Sequence, residues 1–71
     1  MTNKERAARA AVALDAYESN PESGLEFEDQ ADLLVHVLAD LRHWAAANGI
    51  DFDAQAMSAV SLFAGEVVEE M

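Results

Sequence analysis

Apolar residues recur along the chain at spacings of three and four, which is the period of an amphipathic helix. No segment shows the strict alternation of a half-buried strand, and the sequence has no internal repeat. The pattern predicts one all-α domain over residues 1–71, a small three-helix bundle in up-down-up order with helices at about 3–19, 26–48 and 53–70.

Capping signals mark the predicted helix ends. Thr2 and Glu5 have the spacing of a capping box, which starts a helix at about Asn3. Gly49 is placed to end the second helix, because glycine tolerates the left-handed conformation past a last turn. Asp53 is the predicted N-cap of the third helix.

The predicted second helix has the widest apolar arc. Its central stripe consists of Phe27, Ala31, Leu34, Leu38, Leu41 and Ala45, and it is broadened by Leu33, Val37 and Trp44. The first helix offers only a narrow, alanine-rich face to cover it. One side of the third helix is lined by Ala56, Met57, Val60, Phe63, Ala64, Val67, Val68 and Met71.

This arrangement leaves more apolar surface than three short helices are expected to bury. Surplus apolar surface on a small domain usually marks an interface. We therefore predict a homodimer that forms through an apolar flank consisting of Leu33, Val37, Trp44 and Phe63. The alternative is a monomer in which the first helix covers that flank.

Composition narrows the class of protein. Seventy-one residues lie near the lower limit for a domain held by a hydrophobic core alone. The absence of cysteine excludes disulfides and thiolate metal sites. No apolar run approaches the roughly 20 residues that span a bilayer. Arg9 and Asp15 interrupt the alanine-rich amino terminus, so we expect it to form a helix and not an export signal. The expected compartment is the cytoplasm.

The net charge of -10 is unevenly distributed. Residues 1–9 have three basic side chains against one acid, whereas residues 10–71 have thirteen acids against one arginine. Such a surface repels nucleic acid and anionic membranes, so neither is an expected direct partner. It attracts a basic protein or a divalent cation, although the same charge also fits an acidic protein that is merely soluble.

Histidines and acids share the polar side of the predicted second helix. His36, Asp40 and His43 are three potential metal ligands on one face. Three ligands on a single helix rarely close a coordination sphere, and no other segment supplies an obvious fourth. We interpret this edge as a solvated helix surface and expect neither a metal nor a cofactor.

An enzymatic function has little support in the sequence. Two carboxylate pairs, Asp29/Asp32 and Glu66/Glu69, resemble the magnesium ligands of all-helical nucleotide pyrophosphatases. However, no lysine or arginine is placed to bind phosphate, and the chain has neither a glycine-rich phosphate loop nor a catalytic triad. Metal-dependent nucleotide hydrolysis is therefore the third hypothesis, and no catalytic activity is expected.

Residues 32–67, DLLVHVLADLRHWAAANGIDFDAQAMSAVSLFAGEV, resemble a segment of small helical proteins from bacteria, phages and plasmids. In that group a D-L-R-H-aromatic helix end precedes a G-[LI]-D-F-D turn into another helix. The resemblance covers half of the chain and implies no established activity. It implies a corner packed by Leu41, Trp44, Ile50 and Phe52 and capped by Asp51 or Asp53. Phe63-Ala64-Gly65 is more apolar than that pattern, which again indicates an interface.

These observations predict a small acidic helical protein-protein interaction module without catalytic activity. Its expected role is to regulate or inhibit a basic protein, such as one that binds nucleic acid, so that its acids imitate a nucleic acid. The acidic face that would contact the partner consists of Asp15, Glu18, Glu22, Glu26, Glu28, Asp29 and Asp32. The alternative is a self-associating structural or assembly subunit in which the acids only maintain solubility.

Overall fold

The computed structural model describes residues 1–20 and 26–71, which form three helices. They are α1 (Asn3–Glu18), α2 (Gln30–Ala47) and α3 (Phe52–Glu69). The described residues contain no strand. The predicted all-α, three-helix fold is therefore confirmed.

The capping box at the start of α1 is present. The Thr2 hydroxyl accepts a hydrogen bond from the Glu5 N–H, and the Glu5 carboxylate accepts one from the Thr2 N–H, each at 3.1 Å. These bonds satisfy two backbone donors that a helix start leaves without intrahelical partners. The predicted start of the first helix at Asn3 is thus confirmed.

α2 begins four residues later than predicted, at Gln30 rather than at residue 26. Asp29 has an extended backbone, and its carboxylate accepts a hydrogen bond from the Asp32 N–H at 2.8 Å. This N-cap fixes the helix start, because the capping residue itself is not helical. Phe27 therefore lies outside the helix, with its ring 5.3 Å from that of His36 in an edge-on arrangement.

A tight corner joins α2 to α3. Gly49 adopts the left-handed conformation, with φ of 68°, as predicted for the end of α2. The Ile50 N–H then donates to the Ala45 carbonyl at 2.9 Å. The N-cap of α3 is Asp51, whose carboxylate accepts from the Ala54 N–H at 3.1 Å, so the prediction of Asp53 was wrong. Asp53 lies in the first turn and is free to bind elsewhere.

Polar contacts attach α1 to the other helices. The Asn3 N–H donates to the Glu70 carboxylate at 2.6 Å, and the Asn3 side-chain amide donates to the Glu66 carbonyl at 3.1 Å. At its other end, the Tyr17 hydroxyl donates to the Asp40 carboxylate. No residue of α1 is buried, and three leucines of α2 are nearly half exposed, so much of the apolar surface of α2 stays open.

The interior of the described chain is small. Within residues 1–20 and 26–71 only Leu33 and Ala45 are buried. The radius of gyration is 14.0 Å, whereas about 11 Å is expected for a compact chain of this length. The accessible surface is 5815 Å², against about 4,300 Å² expected for a compact monomer of its mass. The helices of one chain therefore leave much of their apolar surface open.

In the part of the chain that the structure describes, none of the helices has the length and apolar character needed to cross a membrane.

Candidate protein-interaction surfaces

The predicted acidic face lies around the α1–α2 connection. Asp15 and Glu18 belong to the last turn of α1, and Glu26 and Glu28 precede α2; all four are exposed. Glu22 lies outside the described residues. Among the described residues none of these four carboxylates makes an ion pair, so their charge is presented to solvent.

The two remaining acids of that face have local structural roles. Asp29 caps α2. One oxygen of Asp32 accepts from the Glu28 N–H at 3.1 Å, and the other lies 3.4 Å from Nε2 of His36. The negative charge available to a partner is therefore that of four acids of the predicted face, Asp15, Glu18, Glu26 and Glu28.

The arginines that make ion pairs lie away from this acidic face. Arg6 contacts the carboxylates of Glu66 and Glu69, and Arg42 contacts the carboxylate of Asp53. The Arg6 contacts also show that Glu66 and Glu69 fix α1 to α3. All three of these ion pairs engage acids of α3, which leaves the charge of the α1–α2 connection uncompensated among the described residues.

The histidine edge of α2 is not assembled into a metal site. His36 is occupied by Phe27 and Asp32, Asp40 accepts from Tyr17, and His43 is exposed. No group of three or more potential ligand side chains close enough to hold a metal is found in the described residues. The hydrogen bond to Asp40 raises the pKa of Tyr17 above its usual 10.0, because the neutral phenol is the donor.

An apolar cavity of about 450 Å³ opens at the α2–α3 corner. Its lining residues are Leu41, Trp44, Ala45, Ile50, Phe52 and Gln55. The side chains that the resemblance placed at this corner are thus brought together, but they leave an opening between them. Trp44 is 58% exposed at this opening. A concave apolar site with an exposed aromatic side chain can accept an apolar side chain of a protein partner.

The predicted self-association flank is divided by the fold. Leu33 is 2% exposed and belongs to the interior, so it offers no free surface, and Val37 is half-buried. Trp44 and Phe63 are exposed, Phe63 by 68%. Of the four residues of the predicted flank, Trp44 and Phe63 therefore lie on the surface of the single chain.

Sequence analysis expected an interface at Phe63 but not the exposure of apolar side chains along the whole of α3. No residue of this helix is buried, and exposed apolar side chains extend along it. Their spacing was visible in the sequence, but an amphipathic pattern does not say whether the chain itself covers the apolar side.

In the comparisons with known proteins, no family model, no curated protein and no solved structure matches this chain.

Proposed function

We propose that this protein is an acidic interaction module that regulates or inhibits a basic protein by covering part of its cationic surface. The observation that carries the proposal is the set of four exposed carboxylates at the α1–α2 connection, which have no ion-pair partner among the described residues. A protein that binds nucleic acid is a fitting target, because its binding surface is basic.

Charge and apolar contact have different roles in this proposal. The unpaired carboxylates accelerate encounter with a basic partner, and salt screens that attraction. The cavity beside Trp44 supplies a place for an apolar anchor of the partner, which contributes more to affinity than charges exposed at the rim. Binding to the partner should therefore weaken as salt increases, while the protein itself stays folded.

The test is affinity capture from a cell extract with three baits at low and high salt. One bait is the unaltered protein, and the second is the variant E26Q/E28Q. The control is E69Q/D53N, which also removes two negative charges, but from α3. Both of these side chains are 71% exposed. Its two surface ion pairs contribute little stability.

We expect the unaltered protein and E69Q/D53N to retain the same basic protein at low salt and to release it at high salt. E26Q/E28Q should retain much less of it. Equal capture by the two variants would contradict the role assigned to the carboxylates at the α1–α2 connection. Capture that does not depend on salt would contradict the electrostatic mechanism.

A second candidate function, a self-associating structural subunit, is favoured by one observation. The exposed surface exceeds that of a compact monomer by roughly 1,500 Å². A structural subunit would bury this surface against further copies in an assembly. An interaction module would bury it only to complete its own core.

A further inference from the structure

One side of α3 has an uninterrupted apolar row. We define the α3 row as Met57, Val60, Ala64 and Val67, continued by Met71 just beyond the helix. The spacings alternate between three and four, so the side chains lie along one side of a helix with 3.6 residues per turn. Met57 is 73%, Val60 69% and Val67 38% exposed. The described residues of a single chain therefore leave this row largely uncovered.

The α3 row consists of apolar residues alone, and the acids near it make contacts within the chain. Glu66 and Glu69 contact Arg6, and Glu70 accepts from the Asn3 N–H. Asp53, which shares the side of the row at its amino-terminal end, is paired with Arg42. An uncharged apolar surface does not complement a basic partner, so the α3 row and the carboxylates at the α1–α2 connection fit different partners.

The area that the chain leaves open fits a second copy. The surplus of roughly 1,500 Å² lies within the approximately 1,000–2,500 Å² that each subunit of an obligate homodimer buries. A single copy buries only Leu33 and Ala45 among its described residues, which is a small core for a domain of this length. Pairing would supply the missing core.

We propose that two copies of the chain pair antiparallel through their α3 rows, with the two-fold axis beside Ala64. The row reads Met, Val, Ala, Val, Met from either end, with the methionines seven residues from Ala64 on both sides and the valines four residues before it and three after it. Val60 of one copy would then face Val67 of the other. The smallest side chain lies at the centre, where it permits the helix axes to approach to about 8 Å. An isologous contact of this kind closes as a dimer.

This pairing does not depend on the proposed function. The two can be distinguished by the effect of salt, which is opposite for dimerisation and for binding to a basic protein. Each copy has a net charge of -10. Screening therefore weakens the repulsion between copies and strengthens dimerisation, whereas it weakens binding to a basic protein.

The test compares V60E with L62E by sedimentation equilibrium of the full chain over a range of concentrations, with helicity measured by circular dichroism. Val60 and Leu62 are 69% and 65% exposed in the single chain, but Leu62 lies outside the α3 row. In a monomer the two substitutions are equivalent. In the proposed dimer only V60E places a charge in the apolar contact.

We expect the unaltered protein and L62E to sediment at twice the chain mass of 7.7 kDa. V60E should associate at least about 100-fold more weakly. Loss of helicity in V60E alone would also support the pairing, because a glutamate at a site that is exposed in the monomer does not unfold it. A monomeric unaltered protein, or equal association of V60E and L62E, would overturn the proposal.

Discussion

Replacing Leu33 by alanine tests whether the small interior of the chain determines its stability. Leu33 is 2% exposed, so the substitution removes nearly the full burial of a leucine side chain. Leucine-to-alanine changes in a core cost about 2–5 kcal/mol. Because only Leu33 and Ala45 are buried among the described residues, the interior is small, and we expect a loss at the low end, about 2–3 kcal/mol. A domain of this length has roughly 4–11 kcal/mol of stability in total.

The assay is urea denaturation followed by circular dichroism, with all proteins at the same concentration because association contributes to apparent stability. The matched control is L62A, which makes the same chemical change at a side chain that is 65% exposed. We expect L62A to change the free energy of unfolding by less than about 0.5 kcal/mol. Equal losses in L33A and L62A would refute the assignment of Leu33 to the core.

Two further predictions concern local contacts. Tyr17 is the only tyrosine of the chain. Its hydrogen bond to Asp40 raises its pKa above 10.0. The contribution of this bond to stability is therefore present below pH 10.0 and is lost as the pH rises through the pKa of the folded state. Ultraviolet titration of tyrosinate should show a lower pKa in D40N than in the unaltered protein, and an unchanged pKa in D40N would contradict the contact. A Cβ atom added at Gly65 meets nothing within 4 Å, and the residue lies outside the α3 row. G65A should therefore raise the free energy of unfolding by up to about 1 kcal/mol without changing the sedimentation mass. Destabilisation in urea denaturation would mean that a partner packs against Gly65.

Local signals made much of the fold predictable from the sequence. The Thr2–Glu5 capping box and the left-handed Gly49 require only neighbouring residues, and both are present as predicted. Where two aspartates compete, local reasoning is less decisive. Asp51 and Asp53 are both suitable N-caps, and the structure uses Asp51 to cap while Asp53 binds Arg42.

The sequence could not predict which apolar faces the chain covers. Leu33 and Val60 belong to similar amphipathic patterns, yet one is buried and the other is exposed. The contact between Arg6 and Glu66 joins residues that are distant in sequence, and nothing near either residue indicates it. Periodicity identifies an apolar face, but only the packing of all helices shows what remains for a partner.

Disulfide cross-linking at the centre of the α3 row tests the proposed pairing most directly. The chain has no cysteine, so a single introduced cysteine reports one position. A disulfide requires Cα atoms within about 4.4–6.8 Å, which the two-fold axis provides at Ala64 and not at Leu62. Under mild oxidation we expect A64C to form a covalent dimer rapidly while L62C remains mostly monomeric. Equal cross-linking of both variants, or none in A64C, would contradict pairing through the α3 row.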